Sequence, residues 1–151
     1  MRIFMEIVKE QSIRAAKEIM DKEAIEASKR LARECTGDSK RSHGELLEEI
    51  GFNDSTRIHM NGNKSHFDAY SEKWKVGIER EMREQMNVRS HLLFADIAYQ
   101  TGMIKATVFI LPIKGKNTKA DFSRTLNDLI DSELFAKYFP LEVPIYLIGV
   151  E

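Results

Sequence analysis

The stretch HFDAYSEKWKVGIEREM, His66 to Met82, reads as two short strands around a turn, and one face of that hairpin carries three carboxylates. A symmetric turn centred between Lys73 and Trp74 sets Asp68 opposite Glu79 and His66 opposite Glu81. Directly opposed residues have Cβ atoms only ~4.5–5.5 Å apart. Glu79 and Glu81 share a face because side chains alternate along a strand. Phe67, Ala69, Val76, Ile78 and Met82 point the other way, toward a core, with Arg80 the exception among them. Asp68, Glu79 and Glu81 therefore converge on one small patch. Trp74 stands at the tip of this hairpin, exposed unless it packs on another element or a partner.

An amphipathic hairpin with a solvated face is free to alternate Lys with Glu, whereas like charges placed directly opposite destabilise a sheet. The strands read next to this one are apolar on both faces, which leaves the sheet little free surface. Acids gathered on a rigid sheet suit a hard divalent cation, since Mg²⁺ prefers oxygen ligands and keeps several waters. Such an ion activates water and stabilises charge on a phosphoryl oxygen.

Outward from the hairpin, the first ~35 residues show one apolar stripe at helical steps through Ile13, Ala16, Met20, Ala24, Ala27 and Leu31, with Gly37 as a stop. TGDSKRSHG is a polar loop. ELLEEIGF reads as a short helix, STRIHM as a strand and NGNKS as a turn. VRSHLLFADIAYQTG reads as a helix stopped by Gly102, and IKATVFILPI as a buried central strand. KADFSRTLNDLIDSELFAKYF reads as an amphipathic helix with a break, and VPIYLIGV as another buried strand. The final strand-helix-strand-helix-strand order predicts right-handed crossovers and a mixed sheet with helices on both faces.

A length of 151 residues predicts one domain with a real core. The net charge of −1 gives no global pull toward polyanions, so any such site is a local patch. The single cysteine, Cys35, excludes an intramolecular disulfide framework and fits a reducing compartment. No run approaches the roughly 18 apolar residues of a membrane span. The start, MRIFMEIVKEQSIR, is too charged for a secretory core. These features read as a cytoplasmic protein. The four histidines (43, 59, 66 and 91) lack the local spacing of metal ligands, and only His66 falls near the acids.

The spacing D-x10-E-x-E, on a hairpin followed by a helix and a buried strand, resembles restriction endonucleases of the BamHI/BglII type, a branch of the PD-(D/E)xK nuclease superfamily. Most of the superfamily has Lys where this chain has Glu81, whereas that branch has Glu. VGIERE is similar to its V-G-M-E-F-E. The stretch HLLFADIAYQTGMIKATVFILPIK is similar to its helix and next strand, and DLIDSELFAKYF with VPIYLIGV to its later helix and last strand. The resemblance covers roughly Leu46 to Val150. It implies an α/β restriction-endonuclease-like core over residues 46–150, behind a helical N-terminal segment over 1–45, in one nuclease domain. It implies a Mg²⁺-dependent DNA endonuclease, with Mn²⁺ able to substitute, acting on double-stranded DNA. Asp68 and Glu79, with the main-chain carbonyl of Arg80, would hold the metal, and Glu81 would orient or deprotonate the attacking water. An acid from an early helix often joins such sites, and Glu45 and Glu49 are the candidates.

DNA requires positive charge. Between Met103 and Ala120 stand Lys105, Lys114, Lys116 and Lys119 and no acid, a local basic patch that a merely soluble loop would share. Lys64, Arg83 and Arg89 flank the acids. Arg124 stands where the resembling enzymes place an acid-arginine pair that reads base edges; here Ser123 precedes it. Its alternative is a helix arginine paired with Asp121 or Asp128. The Ala-rich N-terminal stripe is either core or a self-association surface, and a homodimer matches palindromic DNA. The other reading of the whole chain is a nuclease-fold module that binds DNA or protein without cutting.

Overall fold

The computed structural model describes residues 2–36, 47–54, 57–60, 63–81, 88–113, 121–131 and 134–151. Its centre is the apolar run Ala106–Pro112, strand β9, which is buried along its length up to Pro112. A strand covered on both faces needs apolar residues at every position, which explains the continuous run. On one side β9 pairs in parallel with β8 (Val76–Arg80), and on the other with β10 (Ile145–Val150). Helix α4 (Val88–Gln100) connects β8 to β9 and is followed by a turn through Gly102, whose φ of +82° suits a residue without a Cβ. Helix α5 (Phe122–Leu126) and two wide π-type turns, Asn127–Asp131 and Leu134–Tyr138, precede β10. The break expected within this last helix corresponds to that change of winding.

The hairpin forms as expected. β7 (Ala69–Ser71) pairs antiparallel with β8 through Ala69↔Ile78, Tyr70↔Gly77 and Ser71↔Val76. Beyond β7 lies β4 (Asn53–Asp54). Strand β2 (Ile7–Ile13) closes the opposite edge by antiparallel pairing with β10. The six-stranded order is thus β2-β10-β9-β8-β7-β4, a mixed sheet. Two-stranded ribbons join β1 (Arg2–Phe4) to β3 (Glu34–Thr36) and β5 (Arg57–Met60) to β6 (Asn63–His66).

Side-chain alternation divides the core into two layers. Val76, Ile78, Ala106, Val108, Ile110, Tyr146 and Ile148 pack against α1 (Ala16–Ile19), α2 (Lys22–Arg33) and the helical residues 47–50, α3. Phe109, Leu111, Ile145 and Leu147 pack against Val88, Leu92, Ala95 and Ala98 of α4 and Phe122 of α5. Two crossovers of one hand, stepping the same way along a sheet, leave both helices on one face. The stripe Ala16, Met20, Ala24, Ala27 and Leu31 is buried as the periodicity predicted.

Five expectations change. Ile13 belongs to β2, not to the helical stripe, and positive φ at Arg14 (53°) and Ala15 (58°) turns the chain between them. Helix α2 ends at Arg33, ahead of β3, so Gly37 is not its stop. Asn63–Ser65, read as turn, are strand, and His66 pairs with Arg57 rather than facing Glu81. Trp74 is buried, edge-on to Phe52 with ring centroids 5.5 Å apart. Phe67 also departs from the alternation. It precedes β7, and its ring lies over Gly77, 2.6 Å from where a Cβ would stand, on the α4 side of the sheet.

Candidate metal centre

Glu79 and Glu81 occupy alternate positions at the carboxyl end of β8. Their face is that of Gly77, the side covered by α4. The ladder continues past the strand, for the Glu81 N–H donates to the Ile110 carbonyl at 2.9 Å. Both side chains are buried, Glu79 at 5% exposure and Glu81 at 0%. Asp68 lies just before β7, where the ladder ends. Its Oδ2 accepts the Arg80 N–H at 2.7 Å, so the side chain takes over from a backbone partner. An extended residue turns its N–H and C=O to the same edge, so the Arg80 carbonyl also faces Asp68.

The helix that covers the acids adds a fourth group. His91, one turn into α4, holds its Nδ1 in a hydrogen bond with Glu81 Oε1 and 3.8 Å from Glu79 Oε2. Ligand atoms of Glu79, Glu81 and His91 all lie within 4.8 Å of one another. Glu81 Oε2 is buried with no hydrogen-bond partner. Sequence spacing could not find His91, because its partners lie on a strand and it lies on a helix. The usable signal was geometric: the first turn of a crossover helix covers the carboxyl end of the strand it follows.

Three carboxylates in so little space repel one another. Burial is the largest influence on Glu79, followed by the charges of Asp68 and Glu81 and a side-chain hydrogen bond with Asp68; together they push its carboxyl up to about 10. The hydrogen bond to Glu81 is the main force raising His91, against the opposing effect of burial.

A divalent ion fits these residues. Metal–oxygen bonds of about 2.0–2.1 Å place adjacent ligands about 3 Å apart and opposite ones about 4 Å apart, and the donor atoms here lie within 4.8 Å of one another. Glu81 Oε2 offers a buried lone pair that nothing else uses.

Other expected site residues lie elsewhere. Glu49 on α3 forms a salt bridge with Arg30 at 2.9 Å, on the face opposite the acids, and does not join them. Arg89 makes a bidentate pair with the buried Asp128, Nε to Oδ2 at 2.9 Å and Nη2 to Oδ1 at 3.1 Å. It shares an open cleft with Arg124, Asn127 and Tyr138. Asp121 caps α5 by accepting the backbone N–H of Arg124 at 2.8 Å. Lys64 stands on β6. Glu45, Arg83, Lys114 and Lys116 lie outside the described residues.

A parallel β8-β9-β10 unit joined through α4 and α5, with antiparallel strands on both edges and acids at the mouth of β8, defines the restriction-endonuclease fold, and this chain has it. Two solved structures are similar: restriction endonuclease BglII complexed with a DNA 16-mer, and free BglII. The first superposes with a TM-score of 0.71 at 11% identity, covering 96% of this chain and 76% of that one. The second gives 0.63 at 10% identity, covering 96% and 79%. No protein-family model and no curated protein sequence matches the chain. Among the described residues, no helix is long and apolar enough to cross a membrane.

Proposed function

We propose that this chain is a divalent-metal-dependent DNA endonuclease of the BamHI/BglII type, a single nuclease domain that hydrolyses phosphodiesters. The carrying observation is the convergence of half-buried Asp68 with buried Glu79 and Glu81 at the carboxyl end of β8 on this fold. Ligands of open α/β sheets bind at the carboxyl ends of strands. BglII, similar in fold, is complexed with DNA.

Asp68, Glu79 and the Arg80 carbonyl would hold the ion. Once bound, a cation such as Mg²⁺, or Mn²⁺ in its place, supplies an activated water and neutralises charge on the phosphoryl oxygen. Glu81 orients the attacking water and accepts its proton. The water oxygen bonds to phosphorus, one P–O ester bond breaks, and the departing oxygen takes a proton from solvent. Burial of Glu79 and Glu81 keeps other water away from the reacting atoms.

Lys64, Arg83, Arg89, Lys114, Lys116 and Arg124 bind the duplex, mostly through phosphates. Arg124, exposed on α5, reads guanine, because the guanidinium fork matches its O6 and N7. The enzyme acts as a homodimer in the cytoplasm.

Supercoiled plasmid incubated with Mg²⁺ or with EDTA, using wild type and Asp68→Ala, tests the reading. Nicked or linear product from wild type with Mg²⁺ alone is expected. Cutting in EDTA, or equal cutting by Asp68→Ala, removes the metal mechanism. DNA retention without any cutting makes the chain a binding module.

A further inference from the structure

We propose that His91 Nδ1 is itself a metal ligand, making the centre a mixed nitrogen–oxygen site that prefers Mn²⁺ to Mg²⁺. This rests on the metal-dependent reading above and extends it to the choice of ion.

Geometry carries the inference. His91 Nδ1 faces both buried glutamates, in hydrogen-bond contact with Glu81 and 3.8 Å from Glu79 Oε2. A ring directed elsewhere, or bonded to solvent through Nδ1, would not sit among ligand atoms that all fall within 4.8 Å. The second observation is Glu81 Oε2, on a side chain with 0% exposure and without a partner. A proton between His91 and Glu81 Oε1 satisfies one carboxylate oxygen and leaves the other bare. Glu79 and the Nδ1 lone pair would hold an ion beside this group, and the bare Glu81 oxygen would accept from a water on it. Ligation through Nδ1 leaves the ring proton on Nε2, the ordinary arrangement of a metal-bound imidazole.

The donor set decides the ion. Mg²⁺ takes oxygen ligands in a near-ideal octahedron and gives up its waters reluctantly. Imidazole belongs with the transition metals, and Mn²⁺ accepts carboxylates equally well. Placing one nitrogen beside two or three carboxylates therefore raises Mn²⁺ affinity while adding little for Mg²⁺.

Electron spin-echo spectroscopy of Mn²⁺ bound to the full chain reads the ligand directly, with calorimetry giving Mn²⁺ and Mg²⁺ affinities. Wild type should show modulation from a directly bonded histidine nitrogen, altered when the protein carries ¹⁵N-histidine. In His91→Gln that signal should vanish and Mn²⁺ affinity fall about 10–100-fold, at least the cost of losing a supporting contact, with Mg²⁺ affinity nearly unchanged. Bound Mn²⁺ with an all-oxygen shell in wild type overturns the proposal whether or not the variant folds. A nitrogen signal that persists in folded His91→Gln overturns it too. Absence of any Mn²⁺ or Mg²⁺ binding to wild type instead removes the metal-dependent reading itself, and the ligand assignment with it.

Discussion

The Asp68 carboxylate accepts the Arg80 backbone N–H at 2.7 Å, so one side chain both finishes the β7–β8 ladder and meets the carboxyl of Glu79. The two roles separate by substitution. Asp68→Asn keeps an acceptor for that N–H but loses the charge. It should melt near wild type and fail to cut plasmid. Asp68→Ala should also lose about 1 kcal/mol of stability from the missing hydrogen bond. Both should retain DNA in a mobility-shift assay, since each removes negative charge beside a phosphate. Normal cutting by Asp68→Asn would take Asp68 out of the chemistry.

Glu79 predicts the pH dependence of stability in EDTA. Its carboxyl is raised from 4.5 to about 10, so the folded state holds a proton that the unfolded state releases. The associated stability is fully present below 4.5 and is lost as pH rises toward about 10. His91, raised above 6.5, acts in the same sense, its contribution fading as pH climbs past that value. Denaturation curves over this span in EDTA should show falling stability. With saturating Mn²⁺ the fall should flatten, because the cation replaces the proton. Stability that rises with pH in EDTA contradicts the described packing of the three acids.

Replacing Glu81 tests the departure from the commoner lysine. Glu81→Lys sets a buried ammonium against His91 in a pocket with 0% exposure. It should reduce cleavage below detection and lower the melting temperature, through an unpaired buried charge. Glu81→Gln is nearly isosteric and should fold, with cleavage reduced by about 10²–10⁴-fold, the usual worth of a general base. Single-turnover kinetics decide the matter; an undiminished rate in Glu81→Gln leaves this side chain a supporting role only.

At Gly77 the constraint is space rather than conformation. An added methyl would meet the Phe67 ring at 2.6 Å and push on the residue that precedes Asp68. Gly77→Ala should cost about 1–3 kcal/mol and weaken Mn²⁺ binding, although no ligand is changed. Equilibrium denaturation and calorimetry measure the two effects. Wild-type values for both would mean that Phe67 moves aside freely.

Arg89 is held by Asp128, so its proposed contact with DNA competes with an ion pair inside the fold. A double-mutant cycle over Arg89→Ala and Asp128→Asn should give a stability coupling below about 1 kcal/mol, as suits an arginine side chain 60% exposed. Asp128→Asn alone should tighten binding to random DNA by freeing the guanidinium. If it weakens binding, Arg89 needs Asp128 in order to present its charge.

Sequence carried the parallel unit well. β9 and β10 read as continuous apolar runs because both faces are covered, and the two-way split of their side chains follows from period two. The hairpin register was legible because a short turn leaves little freedom. β2 was not legible. At the sheet edge its central residues face solvent, Val8 at 41% exposure, so the apolar alternation that announces a strand is missing. Trp74 was read from the turn alone, while its burial depends on Phe52, which is distant in sequence. His91 escaped for a related reason, since nothing local in VRSHLLFADIA records which strand the helix will cover.

The edge pairing of β2 with β10 has a kinetic consequence. Their link includes the Tyr146 hydroxyl donating to Glu10, 136 residues apart. During synthesis β2 leaves the ribosome long before its partner exists, and its hydrogen-bonding edge must wait unpaired. Contacts so distant along the chain incur their loop-closure entropy before any pairing rewards it. The acidic cluster, built between residues 68 and 91, can take shape while that edge is still open. Closure by β2 is therefore a late step, and refolding followed by hydrogen exchange should find β2 amides protected after those of β8 and β9.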